Sequence, residues 1–156
     1  MKQDRASESL DKARNYCFLL LKFRPRSEFE LRQRLKRKKF AEPVIRSILD
    51  YLKEKSFVDD EAFAQAWVES RLKSSLGLRR ITQELRIKGI DKDTIERVLE
   101  EKRKEYSETE AVAEIARGRM SRLKGVEPQK ARRRLYAYLL RRGFSPDVII
   151  DTLEQL

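Results

Sequence analysis

The stretch ITQELRIKGIDKDTIERVL, from Ile81 to Leu99, decides how this chain of 156 residues folds. Its large apolar residues are separated by steps of four, five, five and four residues. Residues four apart lie on one face of an α-helix, whereas a step of five leaves that face. The spacing therefore predicts two short helices joined by a tight turn. The five residues are Ile81, Leu85, Ile90, Ile95 and Leu99.

The same spacing occurs once before this stretch and once after it. The earlier copy runs from Leu31 to Leu49, and the later copy runs from Leu135 to Leu153. All fifteen positions are large and apolar, although only 40% of the chain is hydrophobic. A supersecondary unit that recurs at intervals of 50 and 54 residues is typical of a tandem repeat.

The residues at each break indicate how one helix ends and the next begins. A cation followed by glycine, as in Lys88–Gly89, is typical of a helix C-terminus. Asp91 and Ser145 are suitable N-caps, and Pro146 follows as a first helical residue. In the first copy, Lys39 stands where the others have glycine. We therefore expect the first turn to be less well specified, by about 1 kcal/mol.

A further helix precedes each pair, because apolar stripes at helical spacing follow suitable cap residues such as Ser107. Alternating β-branched runs are missing from the sequence. We predict an all-α fold of three tandem three-helix, helix-turn-helix-like repeats that form an elongated, curved array. The expected repeats are residues 1–57, which include a polar N-terminal tail, 58–106 and 107–156.

The composition favours a binding protein over an enzyme. The chain has no histidine and one cysteine, which excludes histidine-dependent nucleophilic sites, histidine-ligated zinc and an internal disulfide framework. Glycine-rich nucleotide-binding motifs are also missing. We therefore predict no catalytic residue, no metal site and no cofactor. The net charge of +11 favours partners with an anionic surface, such as nucleic acid.

The sequence gives no sign of membrane insertion or export. The longest apolar run, Cys17–Leu21, is too short to span a bilayer, and MKQDRASES does not have the form of a signal peptide. We expect a cytoplasmic protein that has no membrane partner.

The basic residues are unevenly distributed, because the three expected repeats carry net charges of +8, 0 and +3. Local interactions account for some of these residues. Glu28–Arg32 and Glu30–Arg34 have the i,i+4 spacing of helical ion pairs, and Lys38, Lys88 and Arg142 suit helix C-termini. In the first repeat, the candidates for anion contact are the cations without such local partners: Arg24, Arg26, Lys36, Arg37 and Lys39. In the third repeat, where the charge is concentrated in two arginine clusters, they are Arg132, Arg133 and Arg141.

Two aromatic residues near the third-repeat arginines, Tyr136 and Tyr138, have two possible roles. They could stack on nucleic-acid bases, or they could pack against the core or the surface.

Three segments resemble the RecX family of bacterial recombination regulators: RPRSEFELRQRL (24–35), FVDDEAFAQAWVESR (57–71) and LRIKGID (85–91). The resemblance covers nearly the whole chain. It implies tandem three-helix units and a non-enzymatic regulator that binds the RecA–single-stranded DNA filament. It also implies inhibition of the RecA ATPase, strand-exchange and coprotease functions. The basic charge is compatible with additional contact to the DNA phosphate backbone.

Two functions remain open at this point. The first is a modulator of the RecA filament, as the resemblance implies, and we expect it to be a monomer. The alternative is a stand-alone helix-turn-helix-like DNA-binding regulator, which the net charge and the short turns between helices would also fit.

Overall fold

The computed structural model describes all residues from Met1 to Leu156, and all of its regular elements are helical. The all-α prediction is confirmed. Nine α-helices and one short 3-10 helix follow in order: α1 (Lys2–Phe23), α2 (Glu28–Arg37), α3 (Glu42–Glu54), α4 (Asp60–Lys73), α5 (Leu78–Ile87), α6 (Lys92–Arg103), α7 (Glu108–Met120), the 3-10 helix (Ser121–Leu123), α8 (Pro128–Arg141) and α9 (Pro146–Glu154).

Consecutive triplets of α-helices form three units, each with its own hydrophobic core. Unit 1 contains α1–α3, unit 2 contains α4–α6 and unit 3 contains α7–α9, and the closest helix packing lies within these triplets. Fourteen of the fifteen repeat positions are buried, and Phe40 is half-buried. The prediction of three three-helix repeats is confirmed. The polar N-terminal residues form the exposed first turns of α1.

The separate cores give the molecule a large surface for its mass. Its accessible surface is 10592 Å². A compact monomer of 18.6 kDa would expose about 8,200 Å². The excess of roughly 30% follows because three small cores in a row bury less surface than one large core. The expected elongated array is therefore confirmed.

The turns after α2, α5 and α8 share one conformation. Lys39, Gly89 and Gly143 all have positive φ, at 66°, 77° and 93°. The backbone N–H after each of them donates to the carbonyl five residues earlier, as the Phe40 N–H does to Leu35 O at 3.3 Å. Lys39 therefore keeps the turn geometry, although a left-handed conformation costs a non-glycine residue about 1 kcal/mol.

Neighbouring units are joined where the N-terminus of the middle helix of one unit packs against the turn that follows the middle helix of the next unit. The Ser27 hydroxyl, at the start of α2, donates to Lys88 O at 2.6 Å. At the start of α5, the backbone N–H groups of Gly77 and Arg79 donate to Arg142 O at 2.8 Å and Gly143 O at 3.2 Å. The N-terminus of each middle helix thus meets the C-terminus of the next, so their dipoles align head to tail.

Docking leaves no space for a side chain at the receiving turns. A Cβ atom added at Gly89 would lie 2.2 Å from the Phe29 Cβ, and one at Gly143 would lie 2.2 Å from the Arg80 Cβ. The turn of unit 1 receives no preceding unit, and the Lys39 side chain there is exposed. This difference explains why glycine occurs at the second and third turns but not at the first.

The helix caps largely follow the sequence, with one difference. Asp91 and Ser107 accept hydrogen bonds from the backbone N–H three residues later, as predicted, and Ser27 does the same at the start of α2. Ser145 stands at the N-cap of α9, but its side chain makes no capping hydrogen bond. Its backbone N–H instead donates to the Glu108 carboxylate at 3.0 Å, which ties α9 to α7. The predicted Ser145 cap is therefore correct in position only.

Leu85 tests whether the repeat positions form the cores. Leu85 is fully buried, whereas Ile87, two residues later on the same helix, is 68% exposed. We expect Leu85→Asp to destabilise unit 2 by several kcal/mol, because it buries an unpaired charge. Ile87→Asp should change stability by less than about 0.5 kcal/mol. Thermal unfolding followed by circular dichroism measures both; equal melting of the two variants would refute the core assignment.

Gly143 tests the docking of unit 2 onto unit 3. We expect Gly143→Ala to lose about 1–2 kcal/mol from its positive φ alone, and more from the collision with Arg80. Lys39→Gly should have the opposite sign and gain about 1 kcal/mol, because it relieves the same φ at a turn without a docked neighbour. Denaturant unfolding compares the two. A Gly143→Ala variant as stable as the parent would contradict the docking.

Candidate nucleic-acid interface

Two of the predicted anion-contacting residues, Arg24 and Arg26, lie at the junction between units 1 and 2. Arg24 donates from both Nη1 and Nη2 to the Glu30 carboxylate, and the Nη1–Oε1 distance is 3.2 Å. Arg26 Nη1 lies 3.8 Å from the same carboxylate, and Lys88 Nζ of unit 2 lies 3.7 Å from it. The prediction that Arg24 and Arg26 lack local partners is therefore wrong.

Glu30 acts as a shared anion for this junction. Burial alone would raise the pKa of its carboxyl, but the hydrogen bond and charge of Arg24 and the charge of Lys88 outweigh burial and lower that pKa. Because Glu30 turns toward these cations, the expected Glu30–Arg34 pair does not form, whereas Arg32 lies 3.9 Å from Glu28 as expected. Arg24 and Arg26 therefore stabilise the junction, and any partner would have to compete with Glu30.

The other unit 1 candidates lie together at the exit of α2. Lys36, Arg37 and Lys39 are exposed and make no ion pair. Their neighbour Lys38 lies over the Tyr16 ring, with Nζ 5.3 Å from the ring centroid. The structure thus leaves three cations of this segment available to a partner.

The third-repeat candidates separate onto different faces of α8. Arg132 and Arg133 are exposed, and Arg141 shares another face of the helix with Arg134. Tyr138 lies beside Arg134 and Arg141, and the Arg119 guanidinium covers its ring at 3.4 Å from the centroid. Tyr136 is half-buried and packs against the unit 3 core. The Arg142 guanidinium also lies near the Tyr138 ring, 6.0 Å from its centroid, so this ring already has two arginine neighbours.

A groove lies between α5 of unit 2 and the α8–α9 turn of unit 3. This junction groove has a volume of about 870 Å³, and neither aspartate nor glutamate lines it. Leu140 and Phe144 supply its apolar surface. Its cations are Arg79, Arg80, Arg86 and Arg141.

A second groove, the α8 groove, has a volume of about 350 Å³ and shares Arg141 with the junction groove. It also lacks an acidic lining residue. Its cations are Arg119, Arg122, Arg134 and Arg141.

Sequence reasoning missed six of these seven arginines. Unit 2 has no net charge, so a count over the whole unit concealed the cations on one side of α5. Comparison of the repeats held a usable signal, because Arg80 stands 50 residues after Glu30, at the equivalent position. The missed residues are Arg79, Arg80, Arg86, Arg119, Arg122 and Arg134.

Three further observations bear on other kinds of site. Cys17 is fully buried in the unit 1 core, and burial raises the pKa of its thiol to about 11, so the thiol stays protonated at neutral pH. The side chains form no cluster of three metal-ligating groups. None of the helices has the length and apolar character needed to cross a membrane.

Models of three domain families match the chain in order. They are the RecX first three-helix domain over residues 13–62, the second over 59–99 and the third over 105–153. The regulatory protein RecX of Amycolatopsis mediterranei is 39% identical over 95% of this chain and 85% of that protein. The regulatory protein RecX of Chlorobium limicola is 32% identical over 97% of this chain and 93% of that protein.

Solved structures show the same fold. The crystal structure of RecX from Lactobacillus salivarius superposes with a TM-score of 0.84 at 22% identity, over 96% of this chain and 97% of the other. A second crystal structure of regulatory protein RecX gives a TM-score of 0.80 over 97% of this chain. With three domain matches in order and relatives above 30% identity over most of their length, this chain belongs to the RecX family of regulatory proteins.

Proposed function

We propose that this protein modulates RecA by binding the RecA–DNA filament, and that it thereby inhibits the ATPase, strand-exchange and coprotease functions of RecA. It acts as a bound cytoplasmic monomer and catalyses no reaction of its own. The observation that carries the proposal is the docked row of three units, which presents an extended surface with unpaired cations near both ends. A filament of repeated protein subunits assembled on a polyanion would match such a surface.

The docked row supports a simple mechanism of inhibition. An elongated protein can contact several filament subunits at once, and it binds best to the filament state whose subunit spacing matches its own. Preferential binding to one state shifts the filament toward that state. Subunit addition, or closure of the ATP sites between subunits, would then be hindered without any catalytic group on this protein.

The helix N-termini that a helix-turn-helix protein would place against DNA carry acidic residues, which argues against the alternative function. Helix-turn-helix proteins read bases with the N-terminal residues of a recognition helix. The candidate recognition helices α3, α6 and α9 carry Glu42, Asp93 and Asp147 in their first turns. Carboxylates at these positions would repel DNA phosphates, which favours the filament proposal.

The RecA ATPase tests the proposal. We expect substoichiometric amounts of this protein to reduce the DNA-dependent ATPase rate of RecA, because one elongated molecule engages several subunits. The rate is measured with increasing amounts of the protein on preformed filaments. An unchanged rate, together with unchanged filament length in electron micrographs, would refute the proposed function.

Exposed cations of unit 1 provide a matched comparison in the same assay. We expect Lys36→Gln/Arg37→Gln/Lys39→Gln to raise the half-inhibiting concentration roughly tenfold, at about 0.5 kcal/mol per exposed charge. The control Lys22→Gln/Arg46→Gln/Lys55→Gln removes three other exposed unit 1 cations that make no ion pair. Equal effects of the two variants would show that net charge, and not the end of α2, governs binding.

A further inference from the structure

Two apolar side chains remain exposed beside the junction between units 1 and 2. Phe29 on α2 is 42% exposed, and Ile87, the last residue of α5, is 68% exposed. Both line one groove of about 240 Å³, the Phe29 groove. Scattered exposed apolar residues are ordinary, whereas apolar residues grouped in one groove mark a site of contact. The other lining residues of the Phe29 groove are Arg26, Glu30, Gln33, Arg34, Arg37 and Lys88.

The packing of the units does not require this apolar pair. At the next junction the residue equivalent to Phe29 is Arg79, 50 residues later. The residue equivalent to Ile87 is Arg141, 54 residues later. Units 2 and 3 pack through the same helix start and the same turn with these two arginines in place. The apolar pair therefore calls for an explanation other than the fold.

The Phe29 groove is formed before any ligand arrives. Phe29 packs so closely on the turn of unit 2 that a Cβ atom added at Gly89 would lie 2.2 Å from the Phe29 Cβ. Two residues earlier, the Ser27 hydroxyl donates to Lys88 O at 2.6 Å. These contacts fix the start of α2 against the end of α5, which reduces the entropic cost of binding in the groove.

The groove keeps positive charge beyond what its own carboxylate neutralises. Arg26 Nη1 and Lys88 Nζ lie 3.8 and 3.7 Å from the Glu30 carboxylate. The other two lining cations, Arg34 and Arg37, make no ion pair. Burial and the neighbouring arginines lower the pKa of Arg26, although Glu30 acts in the opposite direction. The groove therefore suits a ligand that carries further negative charge.

The combination of apolar and basic groups selects the class of ligand. Cores of protein interfaces are enriched in aromatic residues and arginine, and arginine binds carboxylates in a bidentate manner. A nucleic acid fits less well, because Ile87 offers no aromatic face for a base and Glu30 would repel a phosphate. The volume also lies below the roughly 300–1,000 Å³ of small-molecule pockets, but it accommodates an apolar side chain.

We infer that the Phe29 groove binds an acidic peptide segment of a partner protein. One apolar side chain of the segment lies between Phe29 and Ile87, and carboxylates beside it pair with the two free arginines, Arg34 and Arg37. The inference goes beyond the proposed function, because binding of the segment requires neither DNA nor a filament.

Fluorescence anisotropy with the full chain and two labelled synthetic peptides tests the inference. The first peptide has one leucine flanked on each side by a pair of glutamates, and the second has serine in place of the leucine. We expect Ile87→Ser to weaken binding of the leucine peptide about fivefold. It should leave binding of the serine peptide unchanged, because the apolar contact is already missing there.

The charged part of the groove has its own variant. We expect Arg34→Gln/Arg37→Gln to weaken binding of both peptides about fivefold at low salt, and less at high salt. The matched controls are Ile150→Ser, at a residue 44% exposed on α9, and Arg46→Gln/Lys55→Gln, at two exposed unit 1 cations that make no ion pair. Both controls should bind the peptides as the parent does, and circular dichroism melting verifies that every variant folds.

Three results would overturn the inference. The first is absence of peptide binding, or equal losses in the test and control variants. The second is a labelled oligothymidine that binds more tightly than the leucine peptide and loses affinity in Ile87→Ser, which would identify nucleic acid as the ligand. The third is self-association in sedimentation experiments that Ile87→Ser abolishes, which would identify a second copy of this chain as the occupant.

Discussion

The architecture depends on close contact between the start of one middle helix and the turn that ends the next. At each junction a backbone or hydroxyl donor reaches a carbonyl of the following unit, and the receiving turn has no space for a Cβ atom. Gly89 and Gly143 satisfy this constraint together with the positive φ that ends the helix. Three small cores thereby form one row, although no core extends from one unit into the next.

The same junctions determine which basic side chains form ion pairs and which remain unpaired. Between units 1 and 2, Glu30 draws Arg24, Arg26 and Lys88 into one cluster. Between units 2 and 3, the equivalent residue is Arg80, and the surrounding arginines keep their charge available. At this one repeat position, a negative side chain gives a junction with paired cations, whereas a positive side chain gives a groove lined with cations. The net charge of a unit does not reveal this difference, because it does not say which side chains lie together.

The repeat could be predicted from sequence because its determinants are local. Helical spacing, cap residues and the glycine turn act within about twenty residues, and the buried positions followed them closely. The charged site was harder, because its partners are distant in sequence. Lys88 reaches Glu30 from another unit, and Arg141 faces Arg80 across a junction that no local pattern specifies. Arg24 and Arg26 were misjudged for a different reason: both precede α2, so the rule for ion pairs within a helix did not assign them to Glu30, six and four residues later.

An electron cryo-microscopy reconstruction of this protein on a RecA filament formed on single-stranded DNA tests the central claim most directly. That claim is that one docked row of three units engages several filament subunits at once. We predict density for all three units along successive RecA subunits. Density in which this protein contacts a single RecA subunit would contradict the account.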